Sequence, residues 1–196
     1  MSRLVLASTS AYRKQLLERL GLPFATARPD VDESPLGDES PTATAERLAY
    51  AKARAVSVRY PGALIIGSDQ VAYCDTERGQ ERFGKPGTVE RAIAQLQAMR
   101  GRSVFFHTAL CLYDTRDGSH QLEAVSTEAR FRELSDAEIS RYVMREMPLD
   151  CAGSAKSEGL GISLLEYMRG DDPNALIGLP LIALCRMLRQ AGVNVL

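Results

Sequence analysis

Two short runs of wholly apolar residues constrain the fold most strongly, one at residues 4–7 and one at residues 63–66. Such runs are typical of strands that are buried on both faces, because helices cover the sheet on each side. The first run is followed over residues 11–20 by leucines at helical spacing, and a glycine comes directly after them. The sequence therefore predicts an α/β fold.

The remaining segments predict a mixed sheet with further helices. Two long β-rich runs, separated by a hairpin turn at residues 115–118, supply its antiparallel part. Ser40 is typical of a helix cap, and Ser135 forms a capping box with Glu138. In chain order the predicted elements are a strand at 24–27, a helix from 41 to about 60, a hairpin over 71–83 with a charged tip around Arg78, a helix at 88–100, strands at 103–113 and 121–132, a helix from 135 to about 146, a strand at 162–167 and a helix at 180–190.

The composition argues against several classes of protein. The chain has 24 basic and 25 acidic residues, a balance that disfavours a nucleic-acid-binding protein. Its longest apolar run, residues 176–184, is far shorter than the ~20 residues of a membrane span and is interrupted by Gly178 and Pro180. The four cysteines form no CxxC pair, which is typical of buried, reduced thiols. We therefore expect a cytoplasmic protein without a nucleic-acid or membrane partner.

The first candidate binding segment joins the strand at residues 4–7 to the helix that follows. A helix N-terminus presents unpaired N–H groups and the positive end of the helix dipole, so it suits a phosphate group. Ser8, Thr9 and Ser10 add hydroxyl donors there, and Arg13 adds a guanidinium that can bind phosphate bidentately. The alternative is that Ser10 only caps the helix and Arg13 is solvated.

Asp69 is the leading catalytic candidate. It lies in the segment Gly67 to Gln70, directly after the apolar run at residues 63–66, and α/β proteins place their ligands at such strand ends. A carboxylate at that position can hold a metal ion or activate water. The alternative is an aspartate that only begins a turn.

Two lysines and a second carboxylate extend this set. Lys52 lies among alanines, so it can face the packed side of its helix, where its charge needs a partner such as a phosphate. Lys85 in Gly-Lys-Pro-Gly permits the same interpretation, and the alternative for both is a solvated lysine. Glu33 belongs to an acidic loop that can supply a hard-metal ligand or remain solvated. Together with the hydroxyls and Arg13, this set suits hydrolysis of a phosphoanhydride.

These residues lie in a series of blocks that resembles the Maf-like nucleotide pyrophosphatases, and within them the YceF-type branch. The resemblance covers nearly the whole chain. The blocks are LVLASTSAYR (4–13), VDE (31–33), the helix around Lys52, GSDQ (67–70), GKP (84–86), CAGSAKSEG (151–159) and DPNALIGLP (172–180).

The resemblance implies a fold, a reaction and a set of residue roles. The fold is a single domain over residues 1–196, in which a mixed, twisted sheet and its flanking helices form two lobes around a central cleft, similar to inosine triphosphate pyrophosphatases. The reaction converts a nucleoside triphosphate to the monophosphate and pyrophosphate with Mg²⁺ or Mn²⁺. The family's proton acceptor falls on Asp69, which with Glu33 is also expected to hold the metal. The other roles fall on Ser8, Ser10 and Arg13 for phosphate binding and on Glu33, Lys52 and Lys85 for catalysis.

The branch further implies 7-methyl-GTP as the substrate, with specificity residues at Tyr12, Gln70 and Glu158. Methylation at N7 gives guanine a positive charge, so an aromatic ring at Tyr12 can stack on it. A carboxylate at Glu158 can accept hydrogen bonds from guanine N1–H and N2–H₂. The residues alone favour the alternative, in which Tyr12 is a surface tyrosine and Glu158 a solvated loop glutamate. Close relatives are expected to carry Trp at the position of Tyr12. The tyrosine ring keeps a stacking surface, but this surface is smaller than that of tryptophan.

Three alternatives remain open at this point. The chain could hydrolyse dTTP, UTP or another modified nucleotide, or it could be a non-enzymatic regulator of cell division, a role linked with the Maf name. A nucleic-acid-binding role agrees least with the neutral charge. The resemblance also implies a homodimer.

Overall fold

The structure is a computed structural model that describes residues 3–77 and 79–196. Within these residues it contains seven strands and five α-helices, which confirms the predicted α/β class. The strands are β1 (Arg3–Ala7), β2 (Phe24–Ala27), β3 (Ala63–Thr76), β4 (Gly79–Phe83), β5 (Ser103–Asp114), β6 (His120–Phe131) and β7 (Leu165–Gly170). The helices are α1 (Ala11–Glu18), α2 (Pro41–Ser57), α3 (Val89–Met99), α4 (Asp136–Glu146) and α5 (Leu181–Gln190), with two 3₁₀ segments at Ala152–Ser154 and Leu160–Leu164.

The sheet is mixed, as the sequence predicts. Its strand order is β2-β1-β3-β5-β6-β7, and β4 pairs with β3. β1 runs parallel to β2 and to β3, whereas the β3–β4 and β6–β7 pairs are antiparallel. The β3–β4 hairpin occurs where it is predicted, but its predicted tip at Arg78 lies outside the described residues.

The chain divides into two compact units, which are described separately. The first comprises the described residues of Met1–Gln70 together with Thr108–Val125 and Asp172–Leu196, and the second comprises Val71–His107 and Ser126–Asp171. Over the described ranges, no helix combines the length and the apolar character that crossing a bilayer requires. The prediction of a single domain stays a prediction.

The core of the first unit shows which way each side chain of β3 points. Leu64 and Ile66 belong to one buried cluster with leucines of α1 and α5. Because side chains of a strand alternate between its two faces, Ser68 and Gln70 continue on this same side. Gly67 and Asp69 therefore lie on the opposite side.

The prediction that a strand ends before Gly67 is wrong, because β3 runs without a break from Ala63 to Thr76. Gly67 does not make a turn. A Cβ atom built on it would lie 2.1 Å from the carbonyl oxygen of Ala49 and 2.8 Å from the backbone nitrogen of Ala53, both in α2. The glycine therefore permits α2 to pack directly against the strand, and Asp69 is a mid-strand residue next to that contact.

The prediction of a strand at residues 162–167 is also partly wrong. Residues up to Leu164 form the second 3₁₀ segment, and β7 begins at Leu165, which pairs with Phe131. The physical reason is local hydrogen bonding: the N–H groups of Gly159 and Gly161 both donate to the carbonyl of Lys156, which folds this stretch into turns. The predicted helices at residues 11–20 and 41–60 end two or three residues early, at Glu18 and Ser57.

Candidate active site

Ser8 and Ser10 lie in the connection between β1 and α1. Ser10 caps the helix, since its Oγ accepts from the backbone N–H of Arg13 at 3.4 Å. The backbone N–H of Ser10 in turn donates to Ser8 Oγ at 3.1 Å. Both hydroxyls accept in these bonds, and a hydroxyl that accepts can still donate its own hydrogen. The capping role of Ser10 is therefore compatible with donation from both hydroxyls to an anion.

The guanidinium of Arg13 is oriented by a distant backbone carbonyl. Arg13 Nε donates to the oxygen of Gly178 at 2.8 Å. Gly178 has φ +122°, and a Cβ atom there would lie 3.5 Å from Arg13 Nε, so glycine suits this contact. Burial lowers the pKa of Arg13, and the charges of Asp69 and Glu33 oppose that shift. This bond through Nε holds the guanidinium at the Gly178 carbonyl and does not use the N–H groups of its two terminal nitrogens.

Lys52 joins the two predicted carboxylates. Its Nζ lies 2.6 Å from Asp69 Oδ1 and 2.9 Å from Glu33 Oε1. Lys52 is 5% exposed and Asp69 7% exposed, whereas the Glu33 side chain is about half exposed at 55%. The lysine thus lies on the packed face of α2, and its charge is balanced by carboxylates. The contact of α2 with Gly67 brings Lys52 within reach of β3.

Asp69 has the electrostatic setting of a tuned acid–base group. Burial raises its pKa above the ordinary value, and the charge of Glu33 adds to that shift. The charges of Lys52 and then Arg13, with the hydrogen bond from Lys52, lower the pKa in opposition. A carboxylate whose pKa is raised is a stronger base when ionised, which is what activation of water requires.

On the other side of β3 lies a neutral network. Gln70 Nε2 donates to Thr108 Oγ1 at 2.9 Å, and Ser68 Oγ donates to the carbonyl of Gly178 at 3.0 Å. The carbonyls of Ala175 and Leu176 lie 3.1 and 3.0 Å from Gln70 Nε2. Gln70 is a predicted specificity residue, and the structure fixes its amide against the backbone of this segment.

Ser68 and Thr108 are residues that sequence reasoning missed. Both side chains are fully buried, with 0% exposure. A signal existed for Ser68, because two residues after the buried Ile66 a continuing strand places a polar side chain in the interior, where it needs a hydrogen-bond partner. No comparable signal marks Thr108, since its partners Gln70 and Ala175 are far away in the chain.

The remaining predicted residues lie in separate surroundings. Tyr12 is half-buried in the first turn of α1, beside Arg13. Lys85 is exposed in the loop between β4 and α3, within the second unit. Glu158 is an exposed residue of the same unit, and partial burial of its carboxyl raises its pKa, with Lys156 opposing the shift. Only Lys85 and Glu158 of the predicted set lie in the second unit, and the first therefore contains the other eight: Ser8, Ser10, Tyr12, Arg13, Glu33, Lys52, Asp69 and Gln70.

The donor set can be compared with the needs of a divalent metal. Among residues 3–77 and 79–196, no group of three or more His, Cys, Asp or Glu side chains is arranged to hold a metal ion. Asp69 and Glu33 do converge on one point, since both contact Lys52 Nζ. Mg²⁺ is commonly bound by one or two carboxylates together with substrate phosphates and water. The pair therefore fits a magnesium or manganese ion that arrives with a phosphate substrate.

Comparison with known proteins gives matches over nearly the whole chain. The family model described as "Maf-like protein" matches residues 3–191. A protein of Aromatoleum aromaticum named 7-methyl-GTP pyrophosphatase is 65% identical over 192 residues, which cover 98% of this chain and 97% of that protein. Proteins of the same name from Burkholderia thailandensis and Cupriavidus metallidurans are 62% and 58% identical, covering 98% and 96% of this chain and 89% and 93% of theirs.

One solved structure is also similar. It is the structure of the Staphylococcus aureus Ham1 protein, which is 15% identical to this chain with a TM-score of 0.49. The match covers 67% of this chain and 73% of that one.

Proposed function

Because the chain belongs to the Maf-like protein family, we propose that it is a nucleotide pyrophosphatase that hydrolyses 7-methyl-GTP to 7-methyl-GMP and pyrophosphate. The relatives at 58–65% identity that carry this name support the reaction. The observation that carries the proposal is the buried contact of Asp69 with Lys52, at 2.6 Å, in the unit that also holds Arg13 and the hydroxyls of Ser8 and Ser10. It combines a tuned carboxylate with the donors that a polyphosphate needs.

The triphosphate binds at the start of α1. Ser8 and Ser10 donate their hydroxyl hydrogens to phosphate oxygens, and the terminal nitrogens of the Arg13 guanidinium bind a second phosphate. Lys85, a residue of the second unit, is a further candidate cation for a phosphate group. These contacts neutralise negative phosphate charge, which would otherwise oppose attack by the electron-rich oxygen of the nucleophile.

Asp69 accepts a proton from the attacking water. The water oxygen forms a bond to the α-phosphorus. The bond from the α-phosphorus to the oxygen that bridges the α- and β-phosphates breaks, and pyrophosphate leaves with that oxygen. Lys52 donates a hydrogen bond to Asp69, which favours the ionised carboxylate that a base requires. Lys52 and Asp69 are both buried, so they interact in a medium of low dielectric, where the attraction between their charges is strong.

Asp69 and Glu33 would also hold the divalent metal, Mg²⁺ or Mn²⁺, together with phosphate oxygens. When bound, the ion supplies positive charge that polarises the phosphoanhydride. Glu33 suits this role because its side chain is half exposed and can turn toward an arriving ion.

The residues proposed to recognise the base are Tyr12 and Gln70 of the first unit and, separately, Glu158 of the second. The ring of Tyr12 stacks on the cationic 7-methylguanine, and the carboxylate of Glu158 accepts from its N–H groups. The raised pKa of Glu158 makes this contact sensitive to pH, because only the ionised carboxylate pairs with a cation.

A substrate panel tests the proposal. The purified protein is assayed with 7-methyl-GTP, GTP, dTTP and UTP in Mg²⁺, with pyrophosphate as the detected product. We expect 7-methyl-GTP to give the highest kcat/KM, and the Asp69→Asn variant, which keeps the shape and loses the charge, to lose on the order of 10³-fold in kcat. A preference for dTTP or UTP would refute the assignment of 7-methyl-GTP as the substrate. Full turnover by Asp69→Asn would refute the catalytic role of the carboxylate. Pyrophosphate release from none of the four would refute the enzymatic proposal.

A further inference from the structure

A chain of two hydrogen bonds links Gln70 through Thr108 to the backbone carbonyl of Ala175. Gln70 Nε2 donates to Thr108 Oγ1 at 2.9 Å, and Thr108 Oγ1 donates to the carbonyl of Ala175 at 2.8 Å. Thr108 lies in β5 and has 0% exposure, so water does not replace either bond. The three groups belong to one compact unit.

The partners determine which way the Gln70 amide faces. A backbone carbonyl only accepts, so the single hydrogen of the Thr108 hydroxyl goes to Ala175. The hydroxyl oxygen must then accept from Gln70, which requires the nitrogen of the amide at that place. Two further carbonyl oxygens, those of Ala175 and Leu176, lie 3.1 and 3.0 Å from the same nitrogen. A flipped amide would instead place an oxygen against three oxygens.

The opposite end of the amide is therefore fixed as an acceptor. Within the described part of the chain, Oε1 of Gln70 has no hydrogen-bond partner, and Thr127 Oγ1 is the sole buried side-chain N or O atom without one. Gln70 is half-buried, and its Oε1 is consequently reached by solvent. An oxygen held in this way can accept from an N–H group of a ligand and repels a ligand edge that carries an acceptor.

We propose that Thr108 is a positioning residue for specificity: it locks the Gln70 amide so that the carbonyl oxygen is the group offered to the nucleobase. The part that concerns the base rests on the function proposed above, whereas the lock itself depends on the hydrogen bonds alone. A guanine-type edge carries three N–H hydrogens, one on N1 and two on N2, so one of them can satisfy this oxygen while the others bind a second acceptor. A cytosine edge offers only its N4–H₂ donor and places the acceptors N3 and O2 beside it, so it matches the oxygen less well.

The test uses a matched pair of variants. Thr108→Val keeps the branched shape and removes the hydroxyl, whereas Thr108→Ser keeps the hydroxyl. Two readouts are taken: hydrogen exchange of the Gln70 side-chain amide by NMR, assigned by its disappearance in Gln70→Glu, and the ratio of kcat/KM for 7-methyl-GTP to that for CTP. Thermal unfolding of each variant verifies that it is folded.

We expect Thr108→Val to speed exchange of the Gln70 amide about tenfold and to reduce the substrate ratio about fivefold, the size of one lost hydrogen bond. Thr108→Ser should restore both values. Unchanged exchange in Thr108→Val would overturn the lock. Faster exchange with an unchanged substrate ratio would overturn the role in specificity. If the wild-type protein hydrolyses no nucleotide, the function proposed above fails, and the exchange measurement still decides the lock.

Discussion

The two faces of β3 carry opposite kinds of chemistry. On one face Gly67 and Asp69 point toward α2, where Asp69 meets the ammonium of Lys52 at 2.6 Å. On the other face Ser68 and Gln70 point toward residues 172–178 and bind backbone carbonyls. One face is charged and the other is neutral, although the four residues are consecutive.

The difference lies in what burial does to each face. Neutral donors paired with carbonyls have no charge to desolvate. Burial therefore fixes their positions at a small cost in free energy. On the charged face, burial opposes ionisation, and the pKa of Asp69 is raised even though Lys52 is in direct contact. We infer that the neutral face sets geometry and the charged face supplies reactivity. Variants that change one face at a time test this division.

Removing the ammonium should have the largest effect. Lys52→Met leaves Asp69 buried without its nearest cation, which costs about 3 kcal/mol or more at neutral pH. The same change removes the main influence that lowers the pKa of Asp69, so the pKa should rise further. We expect the acidic limb of the kcat/KM profile to move to higher pH, because turnover needs the ionised carboxylate. Urea unfolding and a pH–rate profile provide the measurements.

The pH dependence of stability has a definite sign. A carboxyl whose pKa is raised in the native state keeps a proton that the unfolded chain releases, so the free energy of unfolding falls as pH rises through the native pKa. The loss in Lys52→Met should therefore be smallest in acid and grow with pH. Lys14→Met, which removes an exposed lysine of α1, is the control and should change neither measurement. An acidic limb that stays in place would show that Asp69 is not the titrating base.

The charged face was largely predictable from the sequence, and its position in the fold was not. The residue types and their positions in the sequence indicate Asp69, Lys52 and Glu33 as candidate site residues. The prediction of the family is confirmed. The error concerned the end of the strand, which the apolar run predicts at Ile66, whereas β3 continues through Gly67. The reason for the glycine, the approach of α2, involves atoms of Ala49 and Ala53 that a local pattern does not contain.

The neutral face was mostly missed. Its acceptors are main-chain carbonyls of residues 175–178, about a hundred positions from β3, and every residue type carries such a carbonyl. No pattern of side chains in the sequence therefore indicates which carbonyls are the acceptors. The assignments of Tyr12, Lys85 and Glu158 stay predictions, since they depend on a bound nucleotide.

A methyl group added where β3 and α2 are in direct contact should have an intermediate effect on stability. Gly67→Ala places a Cβ atom 2.1 Å from the carbonyl oxygen of Ala49, so strand and helix must separate. We expect a loss of about 1–3 kcal/mol in the free energy of unfolding and lower kcat, because Lys52 moves away from Asp69. The control is Gly84→Ala, at a position with open space around it and no left-handed φ. Equal stability of the two variants would contradict the close approach.

The smallest effect should come from one hydroxyl on the neutral face. Ser68→Ala removes a fully buried donor to the carbonyl of Gly178, which keeps its bond from Arg13 Nε. The loss in stability should be about 1 kcal/mol. Because that carbonyl anchors Arg13, KM for the nucleotide should rise two- to fivefold, on the order of one weakened hydrogen bond, with kcat nearly unchanged. Ser57→Ala removes a hydroxyl that donates to the carbonyl of Arg54 near the protein surface, and it should alter neither value. A fall in kcat instead of a rise in KM would mean that the neutral face acts on Asp69 rather than on Arg13, and the division between geometry and reactivity would then fail.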